Sequence, residues 1–394
     1  MSRTGAPRIF VVAAEPSGDL LAADLVRHLR QLRPDVAVAG VGGKALAREG
    51  INSQVDTADL SVLGMFDGFK ILKLVHERAE ETALAAKEFE ADAAILIDSW
   101  GFMLRAAWKL TEHAPDTLRI KYVGPQVFAT RPGRAKVLAR TVDHLLGIHP
   151  VDPDYFEPAG LPTTFVGNPA LERMKPGDGA AFRKKYGLAE DEPVLLVLFG
   201  SRRSELERLY EPFAETVARV RKDRPRVRVL TVLSDSIAQG VRDRMADDER
   251  MQDSVIAAEE DREDAFSAAD LALACSGTVT LELASLGVPT LAAYRLGWAS
   301  WALARFVLMR SKYTSLVNIA ADEMLIPEFV QTRCRPAELA PALIELLESP
   351  ERRAELSRRL VAQTQLMRGD GGSPGETAAR TILDLIETRK KPAA

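Results

Sequence analysis

The chain has 394 residues, of which 46% are hydrophobic and 27% are charged, and its net charge is −4. This composition is typical of a folded protein with two domains and excludes a disordered chain. The weak negative charge gives no reason to expect a nucleic-acid partner. No stretch reaches the roughly 20 apolar residues that span a bilayer. The two cysteines and five histidines have no disulfide or metal-ligand spacing, so we expect a reducing cytoplasm, no metal and no cofactor.

Short apolar strand patterns alternate with helical patterns along most of the chain. Strands are predicted at 8–13, 36–41, 93–97, 120–123 and 144–148, and again at 194–198, 227–232, 254–257, 271–274 and 289–293. Such alternation favours parallel sheets with crossover helices. We therefore predict two Rossmann-like, doubly wound α/β domains, 1–170 and 171–365, which face each other across a cleft. A last helix within 366–394 is expected to pack on either domain.

Two acidic residues follow predicted strands of the first domain. Glu15 comes after the first strand and Asp98 after the third. Ligands of open parallel sheets bind beyond the carboxyl ends of the strands, so either carboxylate is placed to accept a proton from a hydroxyl group. The alternative is structural, because Ser17 or Asp19 can cap the helix after the first strand and Asp98 can cap the helix after the third.

The first strand of the second domain leads into a turn of small residues with two arginines. Gly200, Ser201 and Arg202 stand where a helix begins, and Arg203 follows. Free backbone N–H groups, the helix dipole and a guanidinium group together predict a phosphate site. The spacing is neither GxxxxGK[ST] nor GxGxxG, which disfavours ATP and dinucleotides. A plain capped helix is the alternative.

A second turn of this kind follows the strand 271–274. Ser276 and Thr278 offer hydroxyl groups and Gly277 an unobstructed backbone, while Glu282 lies one helical turn beyond Thr278 on the same face. A carboxylate there can accept hydrogen bonds from both hydroxyls of a ribose. The two turns together favour a sugar nucleotide. Further on, the segments 313–320 and 326–331 contain polar residues that read by themselves as loop and helix-start residues.

These stretches, in this order, resemble lipid-A-disaccharide synthases. The resemblance rests on AEPSGD at 14–19, GVGG at 40–43, ID at 97–98, LFGSR at 198–202, SGTVTLE at 276–282, SLVN at 315–318 and EFVQ at 328–331. It extends over about 8–385. The chain departs from the family at IDSWGFM (97–103), GPQVFATR (124–131) and GNP (167–169), all in the first domain.

The resemblance implies a type B glycosyltransferase fold and inverting transfer of 2,3-diacylglucosamine. The implied donor is the UDP derivative of this sugar, the acceptor is 2,3-diacylglucosamine 1-phosphate, and the products are a β-1,6 disaccharide and UDP. It implies catalytic roles for Asp98 and Glu15 and contacts of Ser17, Asn318 and Gln331 with donor or acceptor. The implied UDP contacts are Gly200, Ser201, Arg202, Ser276, Gly277, Thr278 and Glu282. The alternatives are a UDP-GlcNAc 2-epimerase-like enzyme, a transferase for another lipid sugar and a non-catalytic UDP-sugar-binding paralogue.

Two short amphipathic stretches fit a membrane surface. One spans 65–75 and contains Phe66, Phe69 and Leu72, and the other spans 298–313 and contains Trp298 and Trp301. Aromatic and aliphatic side chains beside cations suit the bilayer interface, and a further basic cluster comprises Arg131, Arg134, Lys136 and Arg140. We predict a peripheral protein at the cytoplasmic face of the inner membrane. Buried core helices are the alternative, and a homodimer is left open.

Overall fold

The structure, a computed structural model, describes residues 5–57, 68–297, 301, 311–369 and 372–390, without the side chains of 68–72, 173 and 390. The chain divides into two compact units. Unit 1 comprises Met1–Pro169 and Arg368–Ala394, and unit 2 comprises Ala170–Met367.

Unit 1 is built on a parallel six-stranded sheet. Its strands are β1 (Arg8–Ala13), β2 (Ala37–Val41), β3 (Ala93–Ile97), β4 (Leu118–Tyr122), β5 (His144–Gly147) and β6 (Thr163–Phe165). Its helices are α1 (Pro16–Leu32), α2 (Lys44–Arg48), α3 (Gly68–Glu88), α4 (Trp100–His113), α5 (Gly133–Ala139) and α6 (Asp152–Phe156). The strand order β2-β1-β3-β4-β5-β6 reverses direction between β1 and β3. Helices cover both faces, which is why β3 is apolar and buried along its whole length.

Unit 2 is built on a second parallel sheet of six strands. These are β7 (Val194–Leu198), β8 (Arg228–Val232), β9 (Val255–Ala257), β10 (Leu271–Cys275), β11 (Thr290–Tyr294) and β12 (Glu328–Val330). The helices are α7 (Pro169–Arg173), α8 (Gly179–Tyr186), α9 (Arg203–Asp223), α10 (Ala238–Ala246), α11 (Arg262–Ala268), α12 (Thr278–Ser285), α13 (Leu316–Ala321), α14 (Pro336–Glu348) and α15 (Pro350–Arg368). The order β12-β11-β10-β7-β8-β9 reverses between β7 and β10.

The last helix, α16 (Pro374–Lys390), belongs to unit 1 although it follows unit 2 in the chain. Its apolar side chains pack with those of α1 in one buried cluster, which contains Leu25, Val26 and Leu29 from α1 and Ala378, Ala379, Ile382, Leu383 and Ile386 from α16. The core of unit 1 is therefore completed by the end of the chain.

The predicted doubly wound α/β architecture is confirmed by both sheets. Every predicted strand is present within two residues of its expected bounds, but β6 and β12 were not predicted. Both are three-residue strands at a sheet edge. The segment 326–331, expected as loop and helix start, contains β12, and this interpretation was wrong.

The two predicted membrane stretches fall largely outside the described residues. Phe66 and Trp298 lie there, the side chains of Phe69 and Leu72 in α3 are not described, and Trp301 is half-buried. None of the helices in the described ranges is long and apolar enough to span a bilayer.

Candidate active site

The carboxyl ends of the strands in unit 2 surround a cavity of about 750 Å³. It lies at the point where the strand order reverses between β7 and β10, the usual place for a ligand in such sheets. All seven predicted nucleotide contacts line it, namely Gly200, Ser201, Arg202, Ser276, Gly277, Thr278 and Glu282. The structure thus brings together residues that are up to 82 positions apart in the chain (282 − 200).

The turn after β7 has a different hydrogen-bonding pattern from the predicted one. The buried Glu205 carboxylate accepts the amide N–H groups of Ser201 at 2.9 Å and Arg202 at 3.1 Å, and the Arg202 Nη1 at 2.8 Å. Two of the amides expected to be free for a phosphate are therefore occupied, because Glu205 is the third residue of α9 and reaches back to the turn. The Arg202 side chain is 74% exposed and remains the cationic group offered by this turn.

Gly200 makes this turn possible. Its φ is +98°, in the left-handed region that favours glycine. A Cβ on this residue would lie 2.4 Å from Glu205 Oε2. Gly200 thus has a structural role, because it makes room for the carboxylate that organises the turn, and its contact with UDP stays a prediction.

The turn after β10 is open toward the cavity. The Ser276 amide donates to Ala293 O at 2.9 Å, which ties the turn to β11. Gly277 is exposed and extended, with φ 168°. A Cβ on Gly277 would meet no atom within 4 Å, so neither the backbone nor local packing explains why this residue is glycine.

Glu282, expected to bind a ribose, is paired with a basic residue that sequence reasoning missed. Arg262 Nη2 donates to Glu282 Oε2 at 2.5 Å, and the Arg262 guanidinium lies 4.6 Å from the centre of the Phe266 ring. All three residues line the cavity. The sequence contained a signal for Arg262, because α11 follows β9. The first turn of α11 must therefore lie at the carboxyl end of the sheet, where the predicted turns also lie.

A third turn, directly after β8, also lines the cavity and was not predicted. Ser236 Oγ donates to Ser201 O at 2.5 Å, and Ser234 Oγ lies 2.9 Å from Ser236 Oγ. Asp235 between them is exposed. The polar run Ser-Asp-Ser at a strand end could have been recognised by the rule that pointed to the other two turns.

Asn318 and Gln331, expected at the donor, have their amide groups bonded within unit 2. Asn318 is fully buried, and its Nδ2 donates to Ile326 O at 2.7 Å and Glu328 Oε1 at 2.8 Å. Gln331 Oε1 accepts the Leu296 amide at 3.0 Å, and its Nε2 donates to Leu296 O at 2.8 Å. Both side chains hold backbone segments together, and their contact with donor or acceptor stays a prediction.

In unit 1, the reversal point between β1 and β3 brings two predicted residues together. Ser17 Oγ donates to Asp98 Oδ2 at 3.3 Å. The cap position of α4 is Ser99, and Asp98 precedes it, so the alternative of Asp98 as a helix cap is not supported. Glu15 occupies the cap position of α1 without a side-chain capping bond and is exposed.

Asp19 caps a helix, but not the one that follows the first strand. Its buried carboxylate accepts the amides of Gly43 at 2.8 Å, Ala45 at 2.7 Å and Leu46 at 3.2 Å, at the start of α2. A Cβ on Gly43 would lie 2.8 Å from this carboxylate. The motifs at 14–19 and 40–43 therefore contact each other through this carboxylate.

Lys121, which sequence reasoning passed over, lies fully buried next to the carboxylates of this site. Its Nζ donates to Leu96 O at 3.2 Å, Tyr122 O at 3.2 Å and, at a shorter distance, Asp98 O. Burial lowers the pKa of Lys121 to about 7, against the opposing effect of the negative charges of Asp98 and Glu15. The sequence signal for Lys121 was its place between apolar residues at the end of a predicted strand.

Part of the predicted basic cluster lies beside the same turn. The Arg134 guanidinium lies 4.7 Å from the centre of the Trp100 ring, and Trp100 begins α4 just after Asp98 and Ser99. Burial and the nearby charge of Arg131 lower the pKa of Arg134. Within the described part of the chain, neither arginine has a carboxylate within 4.0 Å.

One group of two carboxylates and one histidine elsewhere in unit 1 has a geometry that could hold a metal ion. It comprises Glu80, Glu112 and His113. Lys109 Nζ lies 2.8 Å from Glu80 Oε2 and 2.7 Å from Glu112 Oε2. The hydrogen bond from Lys109 lowers the pKa of Glu80. We interpret the group as an ion-pair network on the surface, since its negative charge is already met by a cation.

Comparison with known proteins gives a consistent assignment. A family model described as lipid-A-disaccharide synthetase matches residues 9–370. A protein named lipid-A-disaccharide synthase from Paramagnetospirillum magneticum is 37% identical to this chain, and the alignment covers 97% of this chain and 98% of that protein. A protein of the same name from Rhodospirillum centenum is 38% identical, and the alignment covers 97% of this chain and 95% of that protein. A putative UDP-N-acetylglucosamine 2-epimerase from Listeria monocytogenes has a similar structure, with a TM-score of 0.64, 14% identity, and coverage of 98% of this chain and 96% of its own. At that identity the likeness is one of fold alone.

Proposed function

This chain belongs to the lipid-A-disaccharide synthase family and is a glycosyltransferase, and we propose that it transfers 2,3-diacylglucosamine from its UDP derivative to 2,3-diacylglucosamine 1-phosphate. The products would be a β-1,6-linked disaccharide and UDP. The observation that carries the proposal is the cavity of unit 2, where three strand-end turns converge at the reversal of strand order.

The donor's nucleotide is proposed to bind in this cavity. Arg202 is the exposed cation for the pyrophosphate, and the hydroxyls of Ser276 and Thr278 are its hydrogen-bond donors. Gly277 lets the phosphate approach the backbone. Glu282 keeps Oε1 for the ribose hydroxyls while Arg262 holds Oε2 in place.

The acceptor is proposed to bind at the reversal point of unit 1. Asp98 is the base that takes the proton of the 6-hydroxyl group, and Ser17 orients its carboxylate. Glu15 is the rival base, because it stands exposed after the neighbouring strand. Arg131 and Arg134 are proposed to bind the acceptor's phosphate, since both are cations without a carboxylate partner in the described ranges and Arg134 is braced by Trp100.

The reaction then proceeds by a single displacement. As the proton passes to Asp98, the acceptor oxygen forms a bond to the anomeric carbon from the side opposite UDP. The bond between that carbon and the pyrophosphate oxygen breaks, and its electron pair leaves with UDP. Arg202 stabilises the charge that develops on the leaving pyrophosphate.

The acylated substrates reside in a bilayer, which leads us to propose a peripheral enzyme at the cytoplasmic face of the inner membrane. The apolar segment that includes Phe66, Phe69 and Leu72 is the proposed contact, with Trp298 and Trp301 as a second. Acyl chains would thus reach the site without crossing water.

The experiment that tests the function is incubation of the full chain with synthetic donor and acceptor, followed by mass spectrometry of the product. We expect a disaccharide phosphate and UDP. Arg202→Ala should lower turnover by about 10²-fold, the scale for one charge-stabilising donor. Its matched control is Arg203→Ala, since Arg203 is bonded to Glu207 on the surface of α9 and does not line the cavity. Absence of disaccharide, or equal small effects at both arginines, would contradict the proposal.

A second comparison separates the acceptor half from the donor half. Asp98→Asn keeps the shape of the side chain but removes proton acceptance, so it should lower kcat and leave UDP affinity unchanged. Arg134→Ala should instead raise the KM for the acceptor, whereas Arg140→Ala, an exposed member of the same basic cluster, should not. If Asp98→Asn has a normal rate and Glu15→Gln does not, Glu15 is the base.

A further inference from the structure

Lys121 makes contacts that are unusual for a lysine. The ammonium group is buried and its described partners are three backbone carbonyl groups, those of Leu96, Asp98 and Tyr122. No side-chain carboxylate of the described residues lies within 4.0 Å of it. A charge buried without an ion-pair partner is unfavourable for folding, so its contacts call for an explanation other than stability.

Two of the three carbonyls that Lys121 binds, those of Asp98 and Tyr122, border strained parts of the backbone. Asp98 and Ser99 have φ values of +54° and +34°, and Val123 has φ +69°. Left-handed backbone is unfavourable for residues other than glycine, and most of all for a β-branched residue such as Val123. Asp98 O lies in the peptide unit between Asp98 and Ser99, and Tyr122 O lies in the unit between Tyr122 and Val123.

We propose that Lys121 is a positioning residue for glycosyl transfer, whose ammonium group fixes the peptide units 98–99 and 122–123 and thereby the direction of the Asp98 carboxylate. The inference rests on the proposed role of Asp98 as the base. Strained backbone persists only where surrounding contacts hold it and is concentrated at functional sites. Lys121 supplies those contacts from the strand next to β3, where its own backbone is paired with Leu96.

A protonated lysine suits this task because it has three N–H donors for three carbonyl groups, and the neutral form has two. Burial lowers the pKa of Lys121 to about 7, and the carboxylates that oppose this effect are Asp98 and Glu15. The clamp should therefore weaken as the pH rises through 7. In the unfolded chain Lys121 has the ordinary lysine pKa of 10.5. Between about pH 7 and pH 10.5 the unfolded chain therefore binds one proton more than the folded chain. The protein should therefore become more stable with rising pH in that window.

The test compares the full-length wild type with Lys121→Met and Lys121→Gln, using the synthetic donor and acceptor on both sides of pH 7. Met fills a similar volume without donors or charge, and Gln keeps two N–H donors but does not titrate. In the wild type, kcat should fall above pH 7. Met should lower kcat by about 10–100-fold with the KM of both substrates within about twofold, because the base is misdirected. Gln should lie between them, and neither variant should show the decline above pH 7.

A Met variant with wild-type kcat, or with the wild-type decline above pH 7, would overturn the inference. A purely structural lysine would change stability but not the pH profile of kcat. If the wild type forms no disaccharide, the proposed function fails, and hydrogen exchange still tests the clamp. The amides of Asp98 and Val123, which donate to Tyr122 O at 2.9 Å and Leu146 O at 3.1 Å, should exchange faster in either variant that folds. Unchanged exchange would overturn the inference.

Discussion

Gly277 is a residue whose identity the described fold does not explain, and we propose that a ligand explains it. Its backbone is extended, with φ 168°, and a Cβ would meet no protein atom within 4 Å. It stands between Ser276 and Thr278 on the wall of the cavity in unit 2. A side chain there would be tolerated by the protein but would occupy space that we propose for a phosphate of UDP.

We therefore expect Gly277→Ala to leave the thermal midpoint unchanged and to weaken UDP binding by roughly tenfold or more, the scale of an overpacked contact. Isothermal titration calorimetry with UDP and a thermal melt would measure the two effects. A normal UDP affinity would show that no ligand approaches this glycine.

Gly200 is the matched control, because it lines the same cavity for a different reason. Ala at this position would have to keep φ at +98°, and its Cβ would lie 2.4 Å from Glu205 Oε2. Gly200→Ala should thus lower the free energy of unfolding, by about 1–3 kcal/mol. The two substitutions separate a glycine required by the backbone from one required by a ligand.

At the scale of elements, one carboxylate joins the first turn of α1 to the start of α2. Asp19 accepts three amides of the turn that begins α2, and Gly42 and Gly43 are small enough to let it approach. A Cβ on Gly42 would lie 2.3 Å from Leu46 and 2.9 Å from Asp19 Oδ1. Close packing therefore explains why glycine occupies both positions.

Asp19→Ala would leave three amides at the start of α2 without their acceptor. We expect it to lower the free energy of unfolding by about 2 kcal/mol, as the loss of a buried cap does. Urea denaturation would measure this effect. Asp19→Asn keeps one oxygen acceptor and should cost less. Equal unfolding midpoints for the wild type and Asp19→Ala would mean that water replaces the cap.

The elements also show which features could be predicted from sequence. Central strands such as β3 and β7 are continuous apolar runs, so their bounds were predicted to the residue. The two turns predicted to bind a nucleotide were located because each follows such a strand. Contacts that depend on a partner far along the chain, such as Lys121 with Asp98 or Arg262 with Glu282, were missed because periodicity carries no information on which side chains meet.

The same limit applies at single residues. Asn318 and Gln331 are polar residues near strand ends, as ligand contacts are, yet their amides bind backbone groups of their own unit. Sequence gave no means of separating a polar group that faces a cavity from one that satisfies a buried carbonyl. Glu205 was missed for a different reason, because its contacts with the amides of Ser201 and Arg202 are local and a glutamate at the third helical position is a readable signal of such a cap.

At the scale of the whole molecule, the prediction that remains is membrane association. The buried side chains of α3 are those of Ala79, Thr82, Ala83 and Ala86, whereas the side chains from Lys73 to Arg78 are exposed or half-buried. The helix therefore packs on unit 1 through its later turns. The sequence at the start of this helix is apolar, and the side chain of Lys73 beside it is 80% exposed. Such a segment suits the interface of an anionic bilayer.

We expect replacement of Phe66, Phe69 and Leu72 together by Ser to lower binding to anionic vesicles by at least about tenfold. Each substitution removes apolar surface that the bilayer would otherwise shield from water. Vesicle flotation, with a thermal melt of each protein, would measure the effect. Leu84→Ser is the matched control, since Leu84 lies on the same helix and is 45% exposed within unit 1. It should leave vesicle binding unchanged. If the triple variant loses its cooperative melt, the segment packs in the core. If it melts normally and binds vesicles like the wild type, the membrane contact lies elsewhere, and the stretch with Trp298 and Trp301 becomes the next to replace.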